Sequence, residues 1–261
     1  RLVETGGESM SFMTTWEGNS YWLSPTGKSA VAYRALNGIA LTCTGPFGEP
    51  SEWMDDLTGF TQYCVERSLS PVFYSVHREQ RDALLEAGWS SIEVGSEMVV
   101  DPRGWKTTGK KWQDVRTAIN KAKRDSPNGI MEFLIARMAE RLRDEGLADP
   151  EHAVEFMSLS AAPLAGMNPE RDNAREGGVP AGEGTQVLQH ALQIVADWME
   201  PAYGFHSLFN FKRKFQPTEA PVYVCYPDPA ALPQIGLAVV RAYVPSVTPA
   251  EVAGMLSTLR S

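Results

Sequence analysis

Long apolar runs are missing from this 261-residue chain: no stretch of 18 or more apolar residues occurs, so nothing in it reads as a helix crossing a bilayer. Cysteine is scarce. Cys43, Cys64 and Cys225 are widely spaced and odd in number, which fits reduced thiols in a cytosolic compartment and excludes a disulfide framework. There is no CxxC pair, and His77, His152, His190 and His206 lack metal-ligand spacing, so no metal is expected. Phosphate-loop signatures are lacking too. Gly45, Gly48 and Gly182-Glu-Gly-Thr185 do not fit GxxxxGK[ST], and Thr26-Gly-Lys-Ser29 has its tail without the leading glycine; all read as turns. No G-x-S-x-G elbow supports serine-hydrolase chemistry. Positive charge is in deficit. A net charge of −8 argues against a protein that coats nucleic acid indiscriminately, so any polyanion would need a local basic patch. The opening Arg1-Leu-Val-Glu4 has neither an initiating Met nor a signal-peptide layout, and suggests a piece cut from a longer chain.

What is present is core material. The chain is 43% hydrophobic with 7 Trp, 10 Phe and 8 Tyr, enough for one large core or two modest ones. Its 22 Gly and 18 Pro point to many turns and a mixed α/β fold. Residues 11–16, 30–33 and 39–43 are β-type runs, the last two split by Asn37-Gly38, a hairpin turn signal. Helical apolar spacing covers 52–68, followed by a strand at 72–76, a helix at 78–87 and a strand at 92–100. Helices are expected at 110–124, 128–145, 186–198, 208–215 and 230–243, with strands at 154–159 and 222–225. A polar, Gly-rich loop is expected over 167–185. Two α/β halves around a basic helix is the architecture this order suggests.

Two segments carry candidate chemistry. From Arg103 to Arg124 the basic residues include Lys110, Lys111, Arg116, Lys121, Lys123 and Arg124, while Asp114 is the only acid. Such a face can contact phosphates without reading bases; it equally suits an ordinary solvated amphipathic helix. The second segment runs from Glu200 to Pro217. It places Glu200, Tyr203, His206, Ser207, Lys212 and Lys214 among Phe209, Phe211 and Phe215. Acyl transfer needs a group to take a proton and cationic donors for the developing oxyanion, and this segment holds both. By spacing alone, a packed aromatic core with surface lysines explains it as well.

The residues themselves resemble a known family. Gly109-Lys-Lys-Trp-Gln-Asp-Val-Arg-Thr-Ala-Ile-Asn120, Ser126-Pro-Asn-Gly-Ile-Met-Glu-Phe-Leu134 and Tyr203-Gly-Phe-His-Ser-Leu-Phe-Asn-Phe-Lys-Arg-Lys-Phe-Gln-Pro217 are similar to the C-terminal domain of the multiple peptide resistance factor family, the aminoacyl-phosphatidylglycerol synthases. Phe12-Met-Thr-Thr-Trp-Glu-Gly-Asn19 and Pro221-Val-Tyr-Val-Cys-Tyr-Pro227 fit the same pattern, so the likeness covers most of the chain.

The resemblance implies tandem acetyltransferase-like (GNAT) folds: a first over 1–104, a basic connecting helix over 105–125 and a second over 126–261. It implies transfer of an amino acid, lysine or alanine, from aminoacyl-tRNA to a lipid hydroxyl, on phosphatidylglycerol or diacylglycerol. Aminoacyl-tRNA would be a co-substrate, with no cofactor, ATP or metal. The partners would be that tRNA, a membrane lipid and an N-terminal membrane-embedded region, with this part on the cytoplasmic face of the cell membrane and antimicrobial-peptide resistance as the outcome. Carried onto this chain, Lys110, Lys111, Arg116, Lys121, Lys123 and Arg124 would face the tRNA backbone. Glu200 and Lys212 would form the transfer site, with Tyr203 and Ser207 as orienting groups. One departure stands out. Relatives separate the basic helix from the Ser126 block by dozens of residues, including strands with an Asp and an Arg tied to amino-acid binding, whereas here Asp125 runs directly into Ser126. The expectation is that this segment belongs to the protein and is left out of the numbering. Rival readings are a CoA-dependent N-acetyltransferase, a Fem-type transferase acting on peptidoglycan precursors, and a non-catalytic lipid- or RNA-binding module. For the first of these, Arg175-Glu-Gly-Gly178 is a poor match to the pyrophosphate loop.

Overall fold

The computed structural model describes residues 1–123, 129–163 and 205–243. The chain divides into two units. The first is built from Arg1–Ser96 and the stretch beginning at Pro221, the second from Glu97–Ala162 and His206–Ala220. The boundaries at 104/105 and 125/126 suggested by the sequence both fall inside Glu97–Ala162.

In the first unit, strands β1 (Ser20–Leu23), β2 (Ser29–Leu36) and β3 (Ile39–Thr42) form an antiparallel meander, and β4 (Phe47–Gly48) also pairs with β2. The β2–β3 hairpin turns at Asn37 and Gly38 with φ of 52° and 81°, the positive pair that a two-residue turn between right-twisted strands demands. Strand β5 (Ser70–Val76) lies parallel to β3, and β8 (Thr218–Tyr226) runs antiparallel to β5. Strand β6 (Ser90–Val100) pairs next to β8.

Side chains along β3, β5 and β8 alternate between two cores, as a pleat of period two requires. Ile39, Leu41, Val72, Tyr74, Val222, Val224 and Tyr226 pack under helix α7 (Leu232–Tyr243). Ala40, Phe73, Tyr223 and Cys225 face the other way, toward helices α2 (Trp53–Glu66) and α3 (Arg78–Glu86). A bulge between Tyr74 and Val76, with Ser75 at φ 63°, resets the alternation so that Val76 joins the second core. Both faces are therefore covered, and each fully buried Val, Leu, Ile or Phe contributes about 1.5–3 kcal/mol.

Residues 11–16 are not a strand. A 3-10 helix occupies Ser9–Thr15, after the short helix α1 (Leu2–Thr5), because Glu8 and Ser11 cap each other reciprocally. Glu8 is further tied to Thr44 Oγ1 at 2.9 Å and to His77 Nδ1 at 2.8 Å, and Thr14 and Thr15 hydroxyls donate back to carbonyls three residues earlier. Local hydroxyl bonding thus overrides the β-type composition.

The second unit has one core. Helix α4 (Gln113–Ala122), preceded by a 3-10 turn at Lys110–Trp112, lies against helix α5 (Ile130–Ala148). Gly129 permits this: at φ 91° it sits where only glycine is relaxed, and a Cβ there would collide with the Ala118 carbonyl. Strand β7 (Met157–Pro163) pairs with β6, and helix α6 (Phe205–Arg213) leads into β8. Trp105, Trp112, Val115, Ala136, Ala139 and Phe215 are buried together. The Trp105 and Trp112 rings meet edge-on at 4.7 Å, and Phe215 stacks on Trp105 at 6.5 Å. The polar loop at 167–185 and the helix at 186–198 lie outside the described residues.

Candidate functional site

Lys212 is where the second segment becomes a site. At the end of α6 and just past it, Phe211 and Phe215 stand four apart on the core-facing stripe, and Lys212 stands beside Phe211. Phe211 and Phe215 join the core and carry Lys212 inward with them, to 6% exposure. Its Nζ donates to the Ala161 carbonyl at 2.9 Å and the Ser160 carbonyl at 3.3 Å, both on β7. Ser160 has φ 67°, a left-handed conformation within a strand, which interrupts the regular direction of the β7 carbonyls at this point.

Behind the lysine stands an acid that the sequence reading did not single out. Glu97, on β6, is 4% exposed and accepts the Ser158 hydroxyl at 2.6 Å. Ser158 Oγ in turn accepts the Ser160 backbone N–H at 2.9 Å. Burial pulls the Lys212 ammonium down from the ordinary lysine value of 10.5 to about 8, and the Glu97 carboxylate pulls against it. Residues 92–100 hold two carboxylates, Glu93 and Glu97, and nothing local in the sequence marks the second as the buried one.

The other expected site residues fare differently. Ser207 is exposed, and five residues before Lys212 it lies roughly 140° around the helix from it. Glu200 and Tyr203 lie outside the described residues, as does Arg124. Lys110, Lys111, Lys121 and Lys123 are exposed on the 3-10 turn and helix α4. Arg116 is not of their kind: its Nη1 donates to the Thr107 and Gly109 carbonyls, each at 2.7 Å, and ties down the loop before α4. A surface cavity of about 360 Å³ between α4 and α5 holds Lys121 and Lys214, with Asp114 and Glu132 as counter-charges. Lys214 pairs with Glu132 at 2.9 Å.

All three cysteines are unpaired, and burial pushes the Cys64 and Cys225 thiols up to about 12, so they stay protonated and unreactive. Among the described residues no three His, Cys, Asp or Glu side chains converge as metal ligands, and no helix is long and apolar enough to cross a membrane.

The mixed α/β fold is one already seen in solved structures. The chain resembles the structure of L-PGS from Bacillus licheniformis with a TM-score of 0.70, at 16% identity, covering 92% of this chain and 94% of that one. It also resembles the C-terminal domain of a candidate lysylphosphatidylglycerol synthetase from Agrobacterium fabrum (TM-score 0.64, 15% identity, 87% and 89% covered). In sequence, residues 1–126 and 121–226 match the family described as phosphatidylglycerol lysyltransferase, C-terminal, and the chain belongs to that family.

An uncharacterized protein of Corynebacterium glutamicum is 27% identical over 331 residues, covering 93% of this chain and 40% of that protein. The lysylphosphatidylglycerol biosynthesis bifunctional protein LysX of Mycobacterium ulcerans is 20% identical, with 92% and 28% covered. The chain thus spans well under half the length of these curated relatives. An alignment of 331 residues exceeds the 261 residues of the chain, so the relative carries residues with no counterpart here. The two family matches overlap at 121–126, where the basic helix runs into the Ser126 block. The expected extra segment is not hidden in the numbering. The sequence is continuous across 125 and 126.

Proposed function

We propose that this chain transfers an aminoacyl group from aminoacyl-tRNA to a hydroxyl of a membrane lipid, phosphatidylglycerol or diacylglycerol, at the cytoplasmic face of the membrane. The observation that carries the reading is Lys212, a buried ammonium anchored on two strand carbonyls in a chain of the phosphatidylglycerol lysyltransferase C-terminal family. The family's name supplies the lipid and the transferase character, and the tandem acetyltransferase-like arrangement remains part of the proposal.

The reaction exchanges one ester for another. A lipid hydroxyl oxygen attacks the ester carbonyl that joins the amino acid to the tRNA 3′ ribose. The ribose oxygen leaves, and the proton lost by the lipid hydroxyl ends on it. No oxidant, nucleotide or metal enters the balance. Charge develops on the carbonyl oxygen, and preorganised donors for that oxygen are the largest single contribution a protein can make. Lys212 donates two of its three N–H groups to β7, which fixes the direction of the third. In this reading the third N–H meets the oxyanion. Lys110, Lys111, Lys121 and Lys123 offer an exposed cationic row for the RNA backbone, which suits phosphate contacts that position rather than read. Glu200 is assigned the hydroxyl proton or the substrate α-ammonium, and Tyr203 and Ser207 the orientation of the ester.

The deciding experiment offers the protein labelled aminoacyl-tRNAs with separate phosphatidylglycerol and diacylglycerol vesicles and chromatographs the lipid fraction. Label should appear in lipid, and Lys212→Met should lower it at least 100-fold while the fold persists. Label that never leaves the tRNA, or a Lys212→Met variant as active as the parent, sinks the proposal.

A further inference from the structure

We infer that Glu97, acting through Ser158, is a positioning residue for the Lys212 ammonium. The inference rests on Lys212 acting in the proposed transfer. Three hydrogen bonds form a line from acid to base. Ser158 donates its hydroxyl to Glu97 at 2.6 Å, Ser160 donates its backbone N–H to Ser158 Oγ at 2.9 Å, and Lys212 donates to the carbonyl of that same Ser160 at 3.3 Å. The Ser158 oxygen is thereby held from two sides, by what it gives to Glu97 and by what it receives from Ser160.

That grip has a structural purpose. A serine at φ 67° is a conformation that costs of order 1–3 kcal/mol unless the surroundings fix it. The Ser160 N–H bond to Ser158 is one contact that fixes it, and the backbone it secures carries both carbonyls on which Lys212 rests. Remove Glu97 and the Ser158 hydroxyl loses the acceptor that orients it.

Charge reinforces geometry. Strand β7 brings no ionisable side chain toward the lysine, since residues 157–161 read Met-Ser-Leu-Ser-Ala. On α6 and just beyond it, Arg213 pairs with Glu219 at 3.7 Å and Lys214 with Glu132 at 2.9 Å. On β6 and after it, Asp101 is engaged by Arg103. Among the described residues the Glu97 carboxylate is the charge that acts on Lys212, and it favours the ammonium form against burial. A neutral amine has no N–H to spare for an oxyanion with comparable strength, so the acid keeps the lysine in its useful form near neutral pH.

Two measurements on the intact protein test this. The first titrates the Lys212 amine itself by NMR of lysine labelled at Cε, assigned by its loss in Lys212→Met, and needs no transfer activity. Glu97→Gln keeps the shape and an acceptor for Ser158 but removes the charge. It should move the Lys212 midpoint toward acid by about one pH unit. Glu97→Asp should restore the midpoint. The second measures transfer against pH. Wild-type transfer should fall as pH rises through about 8, and Glu97→Gln should move that alkaline limb to lower pH by the same shift. Ser158→Ala keeps the charge and loses the relay, so its transfer should drop roughly tenfold with the limb unmoved. If the Lys212 midpoint and the alkaline limb are the same in Glu97→Gln as in wild type, the inference is wrong. A wild type that titrates as described yet never labels lipid would count against the proposed function and leave the pairing of Glu97 with Lys212 intact.

Discussion

Asp56 in the first unit and Lys212 in the second are both nearly withdrawn from solvent, at 2% and 6% exposure, but they are housed in opposite ways. Asp56 lies in the first turn of α2. Its Oδ2 has no hydrogen-bond partner, and burial, with Glu52 and Asp55 adding repulsion, raises its carboxyl above the usual range against a bond from Ser29. Nearby Glu52 takes the hydroxyls of Ser24, Thr26 and Ser29, and those bonds lower its own carboxyl. Lys212, by contrast, has two carbonyl acceptors and an acid behind it. An orphaned buried group is a cost the first unit's large double core absorbs. A provided-for buried charge in a small unit is the arrangement the proposed role of Lys212 calls for.

Several changes would break or sharpen that contrast. The largest concerns the platform under each group. Phe215→Ala should destabilise by about 3–5 kcal/mol and also depress transfer, because Phe215 holds the helix that bears Lys212; Phe60→Ala should cost a similar amount of stability and leave transfer per folded molecule unchanged. Urea unfolding beside the lipid assay separates the two. Next comes the lysine's own burial. Because the native state binds its proton less readily than the unfolded chain, stability should rise between about pH 8 and 10.5 by ~3 kcal/mol, and Lys212→Met should flatten the rise. Unfolding midpoints at pH 7.5 and 10 are the check. Arg116→Met should cost roughly 2 kcal/mol through two carbonyls left without their charged donor, and should weaken RNA retention no more than that loss of order explains. Replacing Lys110, Lys111, Lys121 and Lys123 together by Gln should instead flatten the salt dependence of RNA binding with stability unmoved. Smallest is Asp56→Asn. Its carboxyl gives up its proton less readily in the native state than in the unfolded chain, so the amide should stabilise at pH 8, with the gain shrinking as pH falls.

How much of this the sequence disclosed depends on the physics behind each feature. The β2–β3 hairpin was legible because Asn37-Gly38 encodes its turn locally, α2 and α3 because their periodicity faces one core each, and β5 because a short apolar run suits a strand covered on both faces. The run at 11–16 was misread as a strand: its β-type composition hides local hydroxyl bonds, and the Glu8 that caps the turn is held by Thr44 and His77, which are remote in sequence. Lys212 was singled out by family likeness. Its placement beside the apolar stripe of α6 was readable but went unused. Glu97 could only be recognised once β6 and β7 were paired, because its partner Ser158 is 61 residues away. Arg116 was read with the exposed lysines on its charge, and its bonds to the Thr107 and Gly109 carbonyls depend on a direction that sequence does not record.

The packing of Trp105 against Trp112 has a consequence of its own. Two indoles inclined at 73° with centroids 4.7 Å apart couple their strong transitions, and the expected signature is a far-ultraviolet dichroic band that separated tryptophans lack. Phe215, three residues beyond Lys212, stacks on Trp105 of that pair. Any event that loosens the end of α6, whether an arriving substrate or a substitution, should therefore register as a loss of that band, and the protein carries its own optical gauge of the site.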